Sequence, residues 1–188
     1  MTSPDGLLSE RFFDALGYAA RLHNRQVRKG GGTPYVSHLM AVASLVLEHG
    51  GSEDEAIAAL LHDAIEDQAE HRGGAAALRA EIEQRYGARV LGIVNACTDA
   101  EVVPKPPWRA RKEQYLRHLG ATPDPAYHRV SIADKLHNAR AILLDYPRRR
   151  RRTVAALYPV GPRRAPLVLP RFGGGLSLGR PGAALAGQ

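Results

Sequence analysis

The chain has 188 residues, enough for one domain with a substantial core. Its formal net charge is +7, yet residues 1–147 carry 17 Lys+Arg against 19 Asp+Glu, whereas residues 148–188 carry 9 Arg and no acid. The basic excess belongs to the tail, so the near-neutral body gives no case for nucleic-acid binding on charge alone. No apolar run approaches the ~20 residues needed to span a bilayer, and the start MTSPDGLLSE lacks the layout of a signal peptide. Cys97 is the only cysteine, which rules out an internal disulfide and suits a reducing cytoplasm. Set in the apolar run VLGIVNAC, it reads as a small core residue rather than a nucleophile.

Residues 10–24 place Phe12, Phe13, Leu16, Ala19, Ala20 and His23 at spacings of three and four, which predicts an amphipathic helix. The basic glycine loop RKGGGTP, Arg28 to Pro34, then excludes regular structure. A helix from Val36 to Glu48 stops at Gly50-Gly51. Ser52 and Glu55 fit a capping box that launches one continuous buried helix through AIAALLHDAIEDQ. Helical stretches near 74–86 and 88–99 follow, separated by Gly87. Beyond the proline-rich VVPKPPW come a basic helix near 109–119 and a long helix from about Ala126 to Tyr146. The expected fold is therefore all-α, a bundle of about seven helices over residues 1–147. Residues 148–188 open on RRRRR, are rich in Gly and Pro, and show no sustained period. They read as an irregular basic tail or as an out-of-frame stretch. Read one nucleotide later with suitable codons, Leu167–Ser177 encodes Trp-Tyr-Tyr-Arg-Gly-Leu-Ala-Glu-Ala-Phe, an amphipathic helix.

The chemistry concentrates in LLHDAIED. His62 and Asp63 interrupt a helix otherwise built of Ala, Leu and Ile, and Glu66 and Asp67 follow one turn later. On a continuous helix, His62 and Glu66 share one face and Asp63 and Asp67 another. Burying such groups unpaired is costly, and a multivalent cation is the simplest agent that favours the cluster. A wet helix face or a buried polar network would account for an isolated His-Asp pair equally well. Two further residues strengthen the metal reading. His38 opens an apolar helix in TPYVSH, and Asp134 sits between Ile132 and Leu136 in RVSIADKLHNAR. Two histidines and two aspartates from three helices make a mixed N/O set that leaves positions for water and a phosphate oxygen. Mn²⁺, Fe²⁺ and Zn²⁺ all fit such a set.

Three strings in order, LHNRQVRKGGGTPYVSHLMAVASLVLEHGG, AALLHDAIED and SIADKLHNAR, resemble the hydrolase domain of RelA/SpoT-type proteins of the stringent response. The likeness covers about residues 10–146, and the single-domain length is similar to that of small alarmone hydrolases. The resemblance implies Mn²⁺, or another divalent transition metal, on His38, His62, Asp63 and Asp134. It assigns Glu66 and Asp67 to the attacking water and its protons. Arg28, Lys29, Lys135 and Asn138 become contacts of a small-molecule nucleotide. The implied reaction removes the 3′-pyrophosphate of ppGpp or pppGpp, leaving GDP or GTP and pyrophosphate. Lys105, Arg109, Arg111 and Lys112 near Trp108 could guide further phosphates or form a solvated face. His23, His49, His71, His118, His128 and His137 read as core or surface histidines. A phosphohydrolase of another nucleotide, a non-catalytic nucleotide sensor and an RNA-associated protein acting through RRRRR are the competing readings.

Overall fold

The computed structural model describes residues 7–29, 32–98 and 107–149, with Trp108 and residues 145–149 as helix backbone alone. Lys105 and the expected tail from residue 150 on lie outside the described residues, and the tail's first two residues, Arg148 and Arg149, continue the last helix. Among those described, the elements are α1 Glu10–Leu22, α2 Val36–Glu48, α3 Glu53–Leu61, α4 Ala64–Gln68, α5 Ala75–Tyr86, α6 Ala88–Cys97, α7 Trp108–Ala121 and α8 Pro125–Arg149. A short 3-10 turn, Ala69–Arg72, joins α4 to α5, and the only extended pairing among the described residues is a bridge between Val27 and Pro34. The all-α expectation holds.

The fold is organised around α3. Every residue from Glu55 to Leu61 is buried, as expected of a helix apolar on all sides. It packs against α1, α2, α6 and α8, and α8 in turn crosses α2 and α6. The predicted capping box is present: Ser52 Oγ accepts from Glu55 N, and Glu55 Oε2 accepts from Ser52 N. The start of α1 is tied to the same place, because Glu53 accepts from both the backbone N and Oγ of Ser9 at 2.7 Å each. Arg129 of α8 pairs with Glu55, which brings the last helix onto the first turn of α3.

The sequence predicts one helix through His62 and Asp63, but the structure breaks it there. His62 ends α3, and Asp63, at φ −98° and ψ 0°, leaves the helical region before α4 begins. The interruption is shallow, since Asp67 N still donates to Asp63 O at 3.0 Å. Its effect is to uncouple the stripes that a regular helix would have imposed on His62, Asp63, Glu66 and Asp67.

The Arg28–Pro34 loop is held at its base. Arg28 N donates to Thr33 O and Tyr35 N to Gln26 O, both at 2.9 Å. This pins Tyr35 and the start of α2 beside the end of α1.

Gly51 carries the tight turn between α2 and α3. A Cβ there would come within 2.4 Å of Val46 Cγ1 and 2.8 Å of the Val46 carbonyl oxygen. Gly51→Ala is expected to destabilise the chain by ~1–3 kcal/mol, read as a lower urea midpoint at unchanged m-value.

Candidate metal centre

Three of the four expected ligands meet in one buried cluster. One donor atom each from His38, His62 and Asp134 lies within 4.8 Å of the other two. His38 Nε2 is 3.3 Å and His62 Nε2 3.8 Å from Asp134 Oδ1. Asp63 completes the group, its Oδ2 lying 3.0 Å from His62 Nε2 and 3.7 Å from His38 Nε2. Local structure accounts for the convergence. His38 sits on the first turn of α2, His62 ends α3, Asp63 occupies the break, and Asp134 faces inward from α8.

Both imidazoles are oriented from behind. His62 Nδ1 lies 2.8 Å from the Ala59 carbonyl, so Nδ1 carries the proton and Nε2 is left as a bare lone pair in the neutral ring. That Nε2 is buried and has no hydrogen-bond partner, because the 3.0 Å approach of Asp63 lies outside hydrogen-bond geometry. An orphaned buried nitrogen among carboxylates is the donor set a divalent cation completes. His38 Nδ1 lies 2.7 Å from His137 Nδ1. For His38 to offer Nε2 as a lone pair, its Nδ1 must donate and His137 Nδ1 must accept.

The electrostatics follow from crowding. Burial alone would lower the pKa of His62, but Asp63, Asp134 and the Ala59 carbonyl push it up to about 9. Burial would raise Asp63, yet His62 and the Tyr35 hydroxyl bring it down to about 2. Burial opposes ionisation of Asp134 too, and His38, Lys135 and His62 nevertheless hold it well below the usual carboxylate range. Burial pushes His38 down. His137 is pushed down to about 4 by burial and by the charges of His38 and Arg28, which suits a neutral acceptor. Negative charge thus dominates the centre, and a proton on His62 and a metal cation compete for the same place.

The remaining predicted residues divide. Asp134 Oδ2 accepts from Lys135 Nζ at 2.6 Å and Oδ1 from Asn138 Nδ2 at 2.5 Å. Asn138 Oδ1 accepts in turn from Arg28 Nη2 at 2.8 Å, so loop and helix are linked through the metal-facing aspartate. Glu66 lines a small cavity of about 40 Å³ with His62, Asp63, Asp134 and Lys135. Asp67 does not share that cavity. Its Oδ2 accepts from Gln26 Nε2 at 2.7 Å, and it lines a separate cleft of about 570 Å³ on the other side of α4. Lys29 is exposed. On α7, Arg109 pairs with Glu113, and Lys112 lies 5.6 Å from the Tyr115 ring centroid.

Several participants were not legible as such. Tyr35 donates its hydroxyl proton to Asp63 and stacks at 5.3 Å on His23, which is bonded to Gln26 at 2.6 Å. Tyr115 reaches across from α7, its hydroxyl 2.6 Å from Ser131 Oγ and its ring 4.9 Å from Lys135 Nζ. His137 reads in sequence as a core or surface histidine, whereas it backs His38. Its position three residues after Asp134, on the same helix face, was the available signal.

An all-α bundle with two buried histidines and two aspartates converging from separate helices defines a metal-site domain of the His-Asp hydrolase class. The HD domain family matches residues 15–158, and the chain belongs to it. It is 33% identical over 138 residues, 72% of this chain and 71% of the other, to the guanosine-3′,5′-bis(diphosphate) 3′-pyrophosphohydrolase MESH1 of Homo sapiens. With the Xenopus tropicalis enzyme of the same name the identity is 36% over 130 residues, 68% of this chain and 66% of the other. A solved structure described as a metazoan ortholog of SpoT that hydrolyzes ppGpp superposes with a TM-score of 0.62 at 28% identity. That superposition covers 77% of this chain and 74% of the other. The RelA/SpoT-type resemblance and the reading as an enzyme are borne out.

Because His137 fixes which nitrogen of His38 is bare, His137→Ala is expected to lower affinity for a divalent metal by ~10–100-fold. Calorimetric titration with Mn²⁺ checks this, with circular dichroism confirming an unchanged fold.

Proposed function

We propose that this chain hydrolyses the 3′-pyrophosphate of guanosine tetra- or pentaphosphate, giving GDP or GTP and pyrophosphate. The observation that carries the reading is the orphaned, buried His62 Nε2 facing Asp134 and His38. It lies in a chain that aligns over 72% of its length with a human enzyme named for that reaction. His38, His62, Asp63 and Asp134 would hold Mn²⁺ or another divalent transition metal, the mixed nitrogen and oxygen donors suiting that class. Such a cation supplies Lewis-acid polarisation of a phosphoryl oxygen and a more acidic water.

The protein groups do the rest. Water attacks the phosphorus attached to the ribose 3′ oxygen, the P–O3′ bond breaks, and a proton passes to O3′. Glu66, which lines the cavity beside His62 and Asp63, would take the proton from water. The resemblance gives Asp67 a share in the proton handling, a role it would take only by leaving Gln26, since it faces away from that cavity. Arg28 and Asn138 form one side of the nucleotide site, where a guanidinium can stack on a purine. Lys29 and Lys135 add point charges. A small nucleotide in the cytoplasm, with no membrane or nucleic-acid partner, is the setting that fits. No described helix is long and apolar enough to cross a membrane.

Incubation of the purified chain with ppGpp and Mn²⁺ tests the proposal, with GDP and pyrophosphate as the expected products. His62→Ala or Asp63→Ala should abolish bound metal and turnover together; a full metal equivalent in either, by elemental analysis, contradicts the ligand assignment. Glu66→Gln should retain metal and nucleotide affinity while kcat falls by ~10²–10⁴.

We also propose that residues 1–147 form the catalytic unit and that the Arg/Gly/Pro-rich tail, 148–188, is an irregular or out-of-frame stretch, although the family match runs on to residue 158. Leu143 and Leu144, near the end of α8, are 73% and 71% exposed, apolar surface of the kind that a further amphipathic helix would cover. Each such side chain kept in water forgoes ~1.5–3 kcal/mol. Restoring the shifted frame in the gene should raise the melting temperature and the yield of active enzyme. Coding DNA without the Trp-Tyr-Tyr helix in that frame, together with a protease-resistant tail, would overturn this reading.

A further inference from the structure

The lining of the small cavity at the metal centre includes one phenol, Tyr115, and it comes from α7, an element that supplies none of the four expected ligands. Ser131 and Lys135 stand one turn apart on α8, so they share a face. Tyr115 meets both. Its hydroxyl is 2.6 Å from Ser131 Oγ, and Lys135 Nζ lies over its ring, 4.9 Å from the centroid. Ser131 is buried, so the bond between the two hydroxyls is sheltered and fixes where the ring stands. The same two helices are joined further along, where His128 Nε2 lies 3.1 Å from the Leu119 carbonyl oxygen and the rings of His118 and Tyr127 are 5.3 Å apart.

Lys135 is a group that needs holding. Its side chain is 43% exposed, and a four-carbon stem is flexible. It donates to Asp134 Oδ2 at 2.6 Å, but the same carboxylate turns Oδ1 toward His38 and His62. A cation held by the ligand set draws on that carboxylate and repels the ammonium, so the salt bridge weakens when the centre is filled. The attraction between an ammonium and the face of an aromatic ring needs no share of Asp134. The ring therefore keeps the ammonium beside the cavity when the carboxylate is shared. Lys112, 5.6 Å from the same centroid, is near the ~6 Å limit of such an attraction.

We infer that Tyr115 is a positioning residue: anchored through its hydroxyl at Ser131, its ring holds the Lys135 ammonium at the metal cavity, ready for an anionic oxygen of the bound molecule. The inference rests on the proposed hydrolysis only for the identity of that molecule.

The test has two readouts, the first of which needs neither metal nor turnover. In the full chain labelled with ¹³C at the lysine ε-carbons, the ring current of Tyr115 should displace the Lys135 ε-methylene protons upfield. Loss of the signal in Lys135→Met assigns it. Tyr115→Leu is expected to abolish the displacement, and Tyr115→Phe, which keeps the ring and gives up only its anchor, to retain part of it. The second readout is calorimetric titration of the metal-loaded chain with inorganic pyrophosphate. Tyr115→Leu should weaken binding about 3–10-fold, Tyr115→Phe less, and Tyr115→Leu should add nothing in a Lys135→Met background. The KM for ppGpp should rise in parallel, by more than kcat falls. Circular dichroism and metal content verify that each variant is folded and loaded. An undisplaced Lys135 signal, or a Leu effect on pyrophosphate binding that persists without Lys135, overturns the role whether or not ppGpp is hydrolysed. Both readouts as expected in a chain that leaves ppGpp intact would retain the role of Tyr115 and remove the proposed substrate.

Discussion

The bond between His62 Nδ1 and the Ala59 carbonyl is the constraint around which the centre is built. An imidazole has two nitrogens, and only when one is committed does the other acquire a defined role. Here the commitment is made within a single turn of α3, the most thoroughly buried helix in the bundle. The ring cannot rotate without giving up a buried hydrogen bond, and the closely packed core leaves it nowhere to go. Nε2 is thereby aimed at Asp134 and Asp63 by the backbone itself. The break after His62 follows naturally, because Asp63 must turn toward the same point and a continued helix would carry it away.

Such a cluster is expensive on its own terms. Buried carboxylates and imidazoles lose hydration, and their mutual attraction offsets that loss only with good geometry. The structure compensates Asp134 with Lys135 and Asn138, Asp63 with the Tyr35 hydroxyl, and His38 with His137. Three of these outer partners, Lys135, His137 and Asn138, come from α8 and the fourth, Tyr35, from the entry to α2, so those two elements are committed to one point. The apolar body meets the cost elsewhere, through α3 enclosed by α1, α2, α6 and α8.

Much of this was legible in the sequence because burial and charge conflict there. An His-Asp pair inside a run of Ala, Leu and Ile is an anomaly that a one-dimensional pattern exposes. The helices themselves followed from periodicity and from the Ser52–Glu55 box. What periodicity could not convey was the shallow break at Asp63, since the backbone bond from Asp67 to Asp63 survives it and the residue spacing is unchanged. The same holds for Tyr35, which looks like an ordinary loop aromatic until the Val27–Pro34 bridge places its hydroxyl on Asp63. Long-range partners such as His137 for His38 depend on how α8 crosses α2, which no local pattern records.

That break also explains why adjacent carboxylates serve different surroundings. On a regular helix Glu66 and Asp67 would stand about 100° apart above His62 and Asp63. With α4 beginning afresh at Ala64, Glu66 turns into the metal cavity and Asp67 turns out to Gln26. Gln26 is in turn bonded to buried His23, whose ring stacks on Tyr35, whose hydroxyl reaches Asp63. Asp63 and Asp67, four residues apart in sequence, are thus joined a second time by side chains running through the end of α1 and the loop. A displacement of Asp67 must disturb Gln26 or break its bond, and a displacement of Gln26 disturbs the ring beneath Tyr35. The position of the outer carboxylate is consequently set by the same packing that positions Asp63, which keeps the groups on the two sides of α4 in fixed relation.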